Sequence, residues 1–377
     1  MAKNILIISA PFEGHIAGLN EIIKDLISLG HNITCYLLDK FLPRLEKSGA
    51  KIKTFKIGKI EIPPGNRPIF INILTIAKTY EEILSQATKL EEKYDYLIVD
   101  SILDGNEMNK VFKIPNLISL YTFPIVEVPT TKKGKEKRMK AFDLINEKYN
   151  INIKDVMELV FDKNAKYKFI LTSKYFQPEI NMLDDSYYFL GPSYEERPID
   201  TSFTFKKDEN KKLIYISFGT IFGEIDLFKK CIETFRNSKE FQIIMSIGIN
   251  NNIKDLGDIP DNFHIYNHVP QLQVLKETDI FIAHGGLNSI NEGIIIKNLP
   301  FIIIPLKFDQ FGNAKQLEKL GAAIVLKKEE LTEEVLKNAV NKILENEESY
   351  KTEVKKIAES YKEARAERKK IYEKVFV

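Results

Sequence analysis

The chain has 377 residues, more than one hydrophobic core normally spans, so two domains are expected. With 55 Lys and Arg against 53 Asp and Glu, a net charge of +2, there is no dominant field and nucleic acid is not an expected partner. Cys35 and Cys231 lie far apart in apolar runs without redox or metal spacing, and no run is long and uncharged enough for a leader or a spanning helix, so a soluble, cytoplasmic protein is expected.

NILIISA (4–10) reads as a buried strand, and GLNEIIKDLISLG (18–30) sets Leu19, Ile22, Ile23, Leu26 and Ile27 at helical spacing. NITCYLL (32–38), KIKTF (51–55), an amphipathic segment from about Phe70 to Lys93, YLIVD (96–100), a short helix and NLISLY (116–121) continue the alternation. Strands apolar on both faces and separated by helices predict a parallel sheet covered on both sides. Residues 124–165 break the rhythm with two charged helical segments, a candidate substrate-side cap. The Lys-rich runs at 132–140 and 363–370 are interleaved with acids and read as solvated helix faces. FILTS (169–173) and YYFLG (187–191) resume strand character before a charged, turn-rich stretch that reads as a linker.

A second alternating set follows: LIYISFG (213–219), a helix near 224–236, FQIIMSIG (241–248), FHIYNHV (263–269), a helix from Gln271, DIFIAH (279–284), a helix from about Leu287, LPFIIIP (299–305), a helix ending at Gly321, AAIVL, and a helix capped by Thr332. The predicted architecture is α/β, two doubly wound halves in tandem facing across a cleft, with ligands at the carboxyl ends of the strands. The predicted divisions are 1–195, a linker at 196–212, 213–360, and a C-terminal helix at 361–377 whose candidate partner is the N-terminal domain.

Several strand ends carry polar groups. His15 follows the first strand and Asp100 ends a strand of the same sheet; an Asp aimed at an imidazole nitrogen fixes its tautomer and supports a general base. Taken singly, His15 also fits a structural hydrogen-bonding role and Asp100 a helix cap. In FIAHGGLNSINEG (281–293) a strand, a glycine turn and a helix start make an anion pocket. SFGT (217–220) ends another strand and the pair Asp309 and Gln310 follows one; the pair suits vicinal hydroxyls, and a turn or cap role is the alternative. A nucleophile elbow, metal-ligand spacing and the dinucleotide G-x-G-x-x-G fingerprint are all missing, so neither a metal nor NAD is expected.

Together GH with the amphipathic helix after it, LGHNIT, LGPS, YISFGT and the block from VPQLQVL through FIAHGGLNSINEG to PLKFDQFGNAKQLEKLGAA resemble the UDP-glycosyltransferase family. These are inverting enzymes of the GT-B fold that include macrolide, plant natural-product and glucuronosyl transferases. The resemblance implies transfer of a sugar from a UDP-sugar to a hydroxyl of a small, largely apolar acceptor. It implies no cofactor beyond that co-substrate and no Mg²⁺. By resemblance His15 matches the base and Asp100 its partner. His284, with Gly285, Gly286, Asn288 and Ser289, would bind the pyrophosphate and Thr220 a phosphate. Glu292 would accept from the ribose hydroxyls, Val269 and Gln271 would meet the base and ribose, and Asp309 with Gln310 the transferred sugar. His268 stands where the family often has a Trp, and segments around 58–80 and 124–165 would line the acceptor pocket. A nucleotide-sugar-binding or epimerising protein of the same fold is the alternative reading.

Overall fold

The computed structural model describes residues 1–59, 70–87, 91–122, 124, 132–155, 165–194, 197, 199–219, 225–307 and 309–377. It divides into two compact units, Met1–Glu195 with Tyr361–Val377, and Glu196–Ser360.

The first unit is built on a parallel sheet in the order β3 (Lys51–Phe55), β2 (Asn32–Leu38), β1 (Asn4–Ile8), β4 (Tyr96–Asp100), β5 (Asn116–Tyr121), β6 (Tyr167–Ile170), β7 (Tyr187–Phe189). The central strands are buried along nearly their whole length, which is why they read as unbroken apolar runs. The edge strand β7 is only half-buried. Register is direct, Ile5 opposite Ile33 on one side and opposite Tyr96 on the other. Helix α2 (Leu19–Ser28) lays Leu19, Ile22, Ile23 and Leu26 into the core, the face that its spacing predicts. Strand order reverses between β1 and β4, and chain connections leave that point in opposite directions.

The second unit repeats the plan: β10 (Phe263–Tyr266), β9 (Phe241–Ser246), β8 (Lys212–Ser217), β11 (Ile280–Ala283), β12 (Phe301–Ile303), β13 (Ala323–Val325). Its reversal falls between β8 and β11. Helix α10 (Leu287–Lys297) runs close over the sheet because Gly293 has no side chain; a Cβ there would lie 2.9 Å from the Phe301 ring. Helix α12 (Glu333–Glu345) starts where Thr332 accepts a hydrogen bond from the Val335 N–H at 3.2 Å, satisfying one orphan donor of the first turn. The charged stretch read as a linker is bonded into this unit. The Asp200 N–H donates to Gln273 at 2.8 Å and Lys207 pairs with Asp279 at 2.9 Å.

Helix α13 (Glu347–Val375) contributes its residues up to Ser360 to the second unit and the rest to the first. Within the first unit, Arg368 is 4 % exposed and donates to the carbonyls of Leu190, Gly191 (3.1 Å) and Pro192 (3.0 Å), tying down the LGPS turn. Tyr372, Val375 and Phe376 enter the core of that unit, and the Tyr96 hydroxyl donates to the Val375 carbonyl at 2.9 Å. Among the described residues no helix is long and apolar enough to cross a membrane. Both cysteines are buried free thiols.

Candidate active site

In the first unit three adjacent strand ends converge on one imidazole. His15 lies not in an open loop, as the sequence suggests, but in a one-turn helix α1 (Glu13–Ala17) that follows β1. Gly14 and the preceding proline hide that turn from propensity reasoning, while buried Ile16 anchors it. His15 Nδ1 is 2.7 Å from Oδ2 of Asp100, the last residue of β4, which is wholly buried. Oδ1 of Asp100 accepts from the Ile102 N–H at 3.2 Å, fixing the carboxylate. A carboxylate can only accept, so the Nδ1 proton points at Asp100 and the basic lone pair sits on Nε2. Thr122 Oγ1, just past β5, lies 2.9 Å from the same Nδ1 as a second partner. Sequence reading missed Thr122, although the rule that singled out Asp100 applies equally to the end of the neighbouring strand.

In the second unit the equivalent strand ends belong to β8 and β11, paired so that Ala283 stands opposite Ser217. After β11 come His284, Gly285 at φ +89° and Gly286, which is extended and caps α10 with no side-chain hydrogen bond. Gly219, after β8, also has a positive φ of +88°. The His284 ring is wedged between these turns: a Cβ on Gly286 would be 2.5 Å from Nε2 and one on Gly219 3.2 Å. Only glycine leaves room there.

His284 Nδ1 is shut off from solvent and, among the described residues, has no hydrogen-bond partner of good geometry, while the Ser217 backbone acts in the opposite direction by favouring the protonated ring. Burial dominates and pushes the pKa down to about 4. At neutral pH the ring is therefore an uncharged donor rather than a cation. The folded value lies below the unfolded 6.5, so the unfolded state takes up the proton first and stability falls as pH drops from 6.5 toward 4. The full loss is about 3 kcal/mol. Urea unfolding at pH 7 and pH 4.5 is expected to show this loss in wild type and not in His284→Asn; equal acid sensitivity in both would mean that the ring is not held neutral.

Around α10 the polar groups form a chain. Gln271, first residue of α9 (Gln271–Glu277), accepts from the Tyr215 hydroxyl at 3.0 Å and donates to Glu292 Oε2 at 2.6 Å and to Ser289 Oγ at 3.3 Å. Glu292 Oε1 pairs with Arg197 Nη2 at 2.6 Å, a partner sequence reading did not find because Arg197 lies far off in the charged stretch. Asn288 is exposed at the start of α10. Val269 is 2 % exposed, so what it offers a ligand is backbone, while His268 beside it is exposed.

Past β12, Gln310 accepts with its side-chain oxygen from the N–H groups of Leu306 (2.9 Å) and Lys307 (2.8 Å), shaping its own loop. Asp309 Oδ2 accepts from Asn313 Nδ2 at 2.9 Å, and the same nitrogen donates to the Gly285 carbonyl at 3.0 Å. The loops after β11 and β12 are thereby tied together. Thr220 lies outside the described residues, as do parts of the two segments expected to line an acceptor pocket.

Each unit is thus a doubly wound parallel sheet with polar groups at its strand ends, the first carrying an oriented His–Asp pair and the second a helix start without a side-chain cap behind a glycine turn. Residues 225–371 match the glycosyltransferase family 28 C-terminal domain. The Bacillus subtilis protein described as the uncharacterized UDP-glucosyltransferase YojK is 31% identical over 366 residues, covering 91% of this chain and 90% of its own. The oleandomycin glycosyltransferase of Streptomyces antibioticus is 23% identical over 363 residues, 91% of this chain and 84% of its own. In fold, the crystal structure of the glycotransferase of kitacinnamycin superposes with a TM-score of 0.81 at 20% identity, over 99% of this chain and 98% of that one. The chain belongs to the UDP-glycosyltransferase family and is a glycosyltransferase of the GT-B fold.

Proposed function

We propose that the protein transfers a sugar from a UDP-sugar to a hydroxyl of a small, largely apolar acceptor with inversion at the anomeric carbon. The observation that carries this reading is the 2.7 Å contact between His15 and buried Asp100, which leaves Nε2 as the proton acceptor. The acceptor O–H gives its proton to Nε2, the oxygen forms the new bond to the anomeric carbon, and the bond to the diphosphate breaks with its electron pair leaving on phosphate. The second unit takes the donor, with helix-end N–H groups and neutral His284 receiving the diphosphate, Glu292 and Gln271 the ribose, and Asp309 with Gln310 the sugar. The names of YojK and of the oleandomycin enzyme support a UDP-sugar donor and a natural-product acceptor respectively.

The experiment is proton NMR of the product made from UDP-α-glucose and a panel of phenolic and macrolide alcohols. A β-linked glucoside is expected. An α-linked product would overturn the single displacement; donor conversion with no glucoside would favour an epimerising protein, and donor binding with no conversion a binding protein.

A further inference from the structure

Glu292 carries more than a ribose acceptor needs by itself. Each of its oxygens already holds one short hydrogen bond, Oε2 from Gln271 at 2.6 Å and Oε1 from Arg197 at 2.6 Å. Gln271 is itself fixed by the Tyr215 hydroxyl at 3.0 Å, and the buried Tyr215 ring stacks on Phe281 at 4.9 Å. On that side the carboxylate is held by the core of the sheet. On the other it is held by the guanidinium of Arg197, a residue outside any helix or strand. The Glu292 side chain is 11% exposed and that of Arg197 49%, so the pair sits at the surface edge of the site with the carboxylate on the inner side.

A carboxylate has about four lone-pair positions, and with one donor on each oxygen among the described residues it keeps one on each for a vicinal diol. Without Arg197, the Glu292 carboxyl would be fixed at only one oxygen and would lose the orientation that presents both free positions together. We propose that Arg197 is a positioning residue for the nucleotide's ribose, holding Glu292 so that its two oxygens accept the 2′- and 3′-hydroxyls at once. The proposal rests on the reading of Glu292 as the ribose acceptor, and its test separates the two.

Isothermal calorimetry on the full chain would compare UDP, 2′-deoxy-UDP and 3′-deoxy-UDP for wild type, Glu292→Gln, Arg197→Gln and Arg197→Lys. Wild type is expected to prefer UDP by about tenfold over either analogue, the scale of one buried hydrogen bond to a charged group, and Glu292→Gln to lose that preference. Arg197→Gln is expected to weaken UDP about three- to tenfold while changing the analogues by less than about twofold, and Arg197→Lys to restore part of the preference. A merely structural role would weaken all three nucleotides alike. An unchanged preference in Arg197→Gln overturns the proposal, and tighter UDP binding by that variant would make Arg197 a competitor of the ribose instead. If wild type shows no preference, or Glu292→Gln keeps it, the ribose reading of Glu292 itself falls.

Discussion

Replacing His15 by alanine is expected to slow single-turnover transfer to an unactivated alcohol by about 10²–10⁴-fold, the usual effect of removing a positioned base. The affinity for UDP should stay near wild type, because the groups proposed to bind it all lie in the other unit. Asp100→Asn should cost less. The imidazole remains, but an amide can present its NH₂ to Nδ1 and favour the wrong tautomer, with the proton on Nε2. The measurement is rapid-quench transfer at saturating UDP-sugar. A His15→Ala rate within a few-fold of wild type would remove His15 from the chemistry.

The second large effect is expected from Gly285→Ala. Gly285 sits at φ +89°, and an added Cβ would lie 3.0 Å from Ile303 Cγ2 and 3.1 Å from the Gln310 backbone oxygen. The left-handed backbone costs about 1–2 kcal/mol for any L-residue, and the crowding against backbone adds about as much again. Relief requires the start of α11 (Gln310–Lys319) to move, which breaks the Asn313 bond to the Gly285 carbonyl. Scanning calorimetry should show the transition of the second unit lowered by about 5–15 °C, with UDP binding weakened at temperatures where the variant is still folded. Unchanged melting and binding would show that the two loops yield without cost.

Most of the architecture was legible because parallel strands buried on both faces leave uninterrupted apolar runs: NITCYLL, KIKTF, YLIVD and NLISLY coincide with β2, β3, β4 and β5. Strand ends were equally legible as places where polar side chains meet, which is how His15 and Asp100 could be paired across 85 residues. What periodicity does not carry is the direction of single side chains across long separations. Arg197 on Glu292 emerges only from three-dimensional proximity, whereas Thr122 beside His15 stands at a strand end that the same rule could have marked. The neutrality of His284 was hidden for another reason. It comes from burial between two glycine turns, and a sequence shows the glycines but not the enclosure they create.

The course of α13 also bears on how the protein is made. The core of the first unit includes Tyr372, Val375 and Phe376, and Arg368 holds the turn at Gly191. On the ribosome, residues 1–195 emerge first yet lack these last side chains, whereas the parts of the second unit are all in place once residue 360 has appeared. Vectorial synthesis thus delivers all parts of the second unit before all parts of the first, and the core of residues 1–195 is completed only once residues 361–377 have been made.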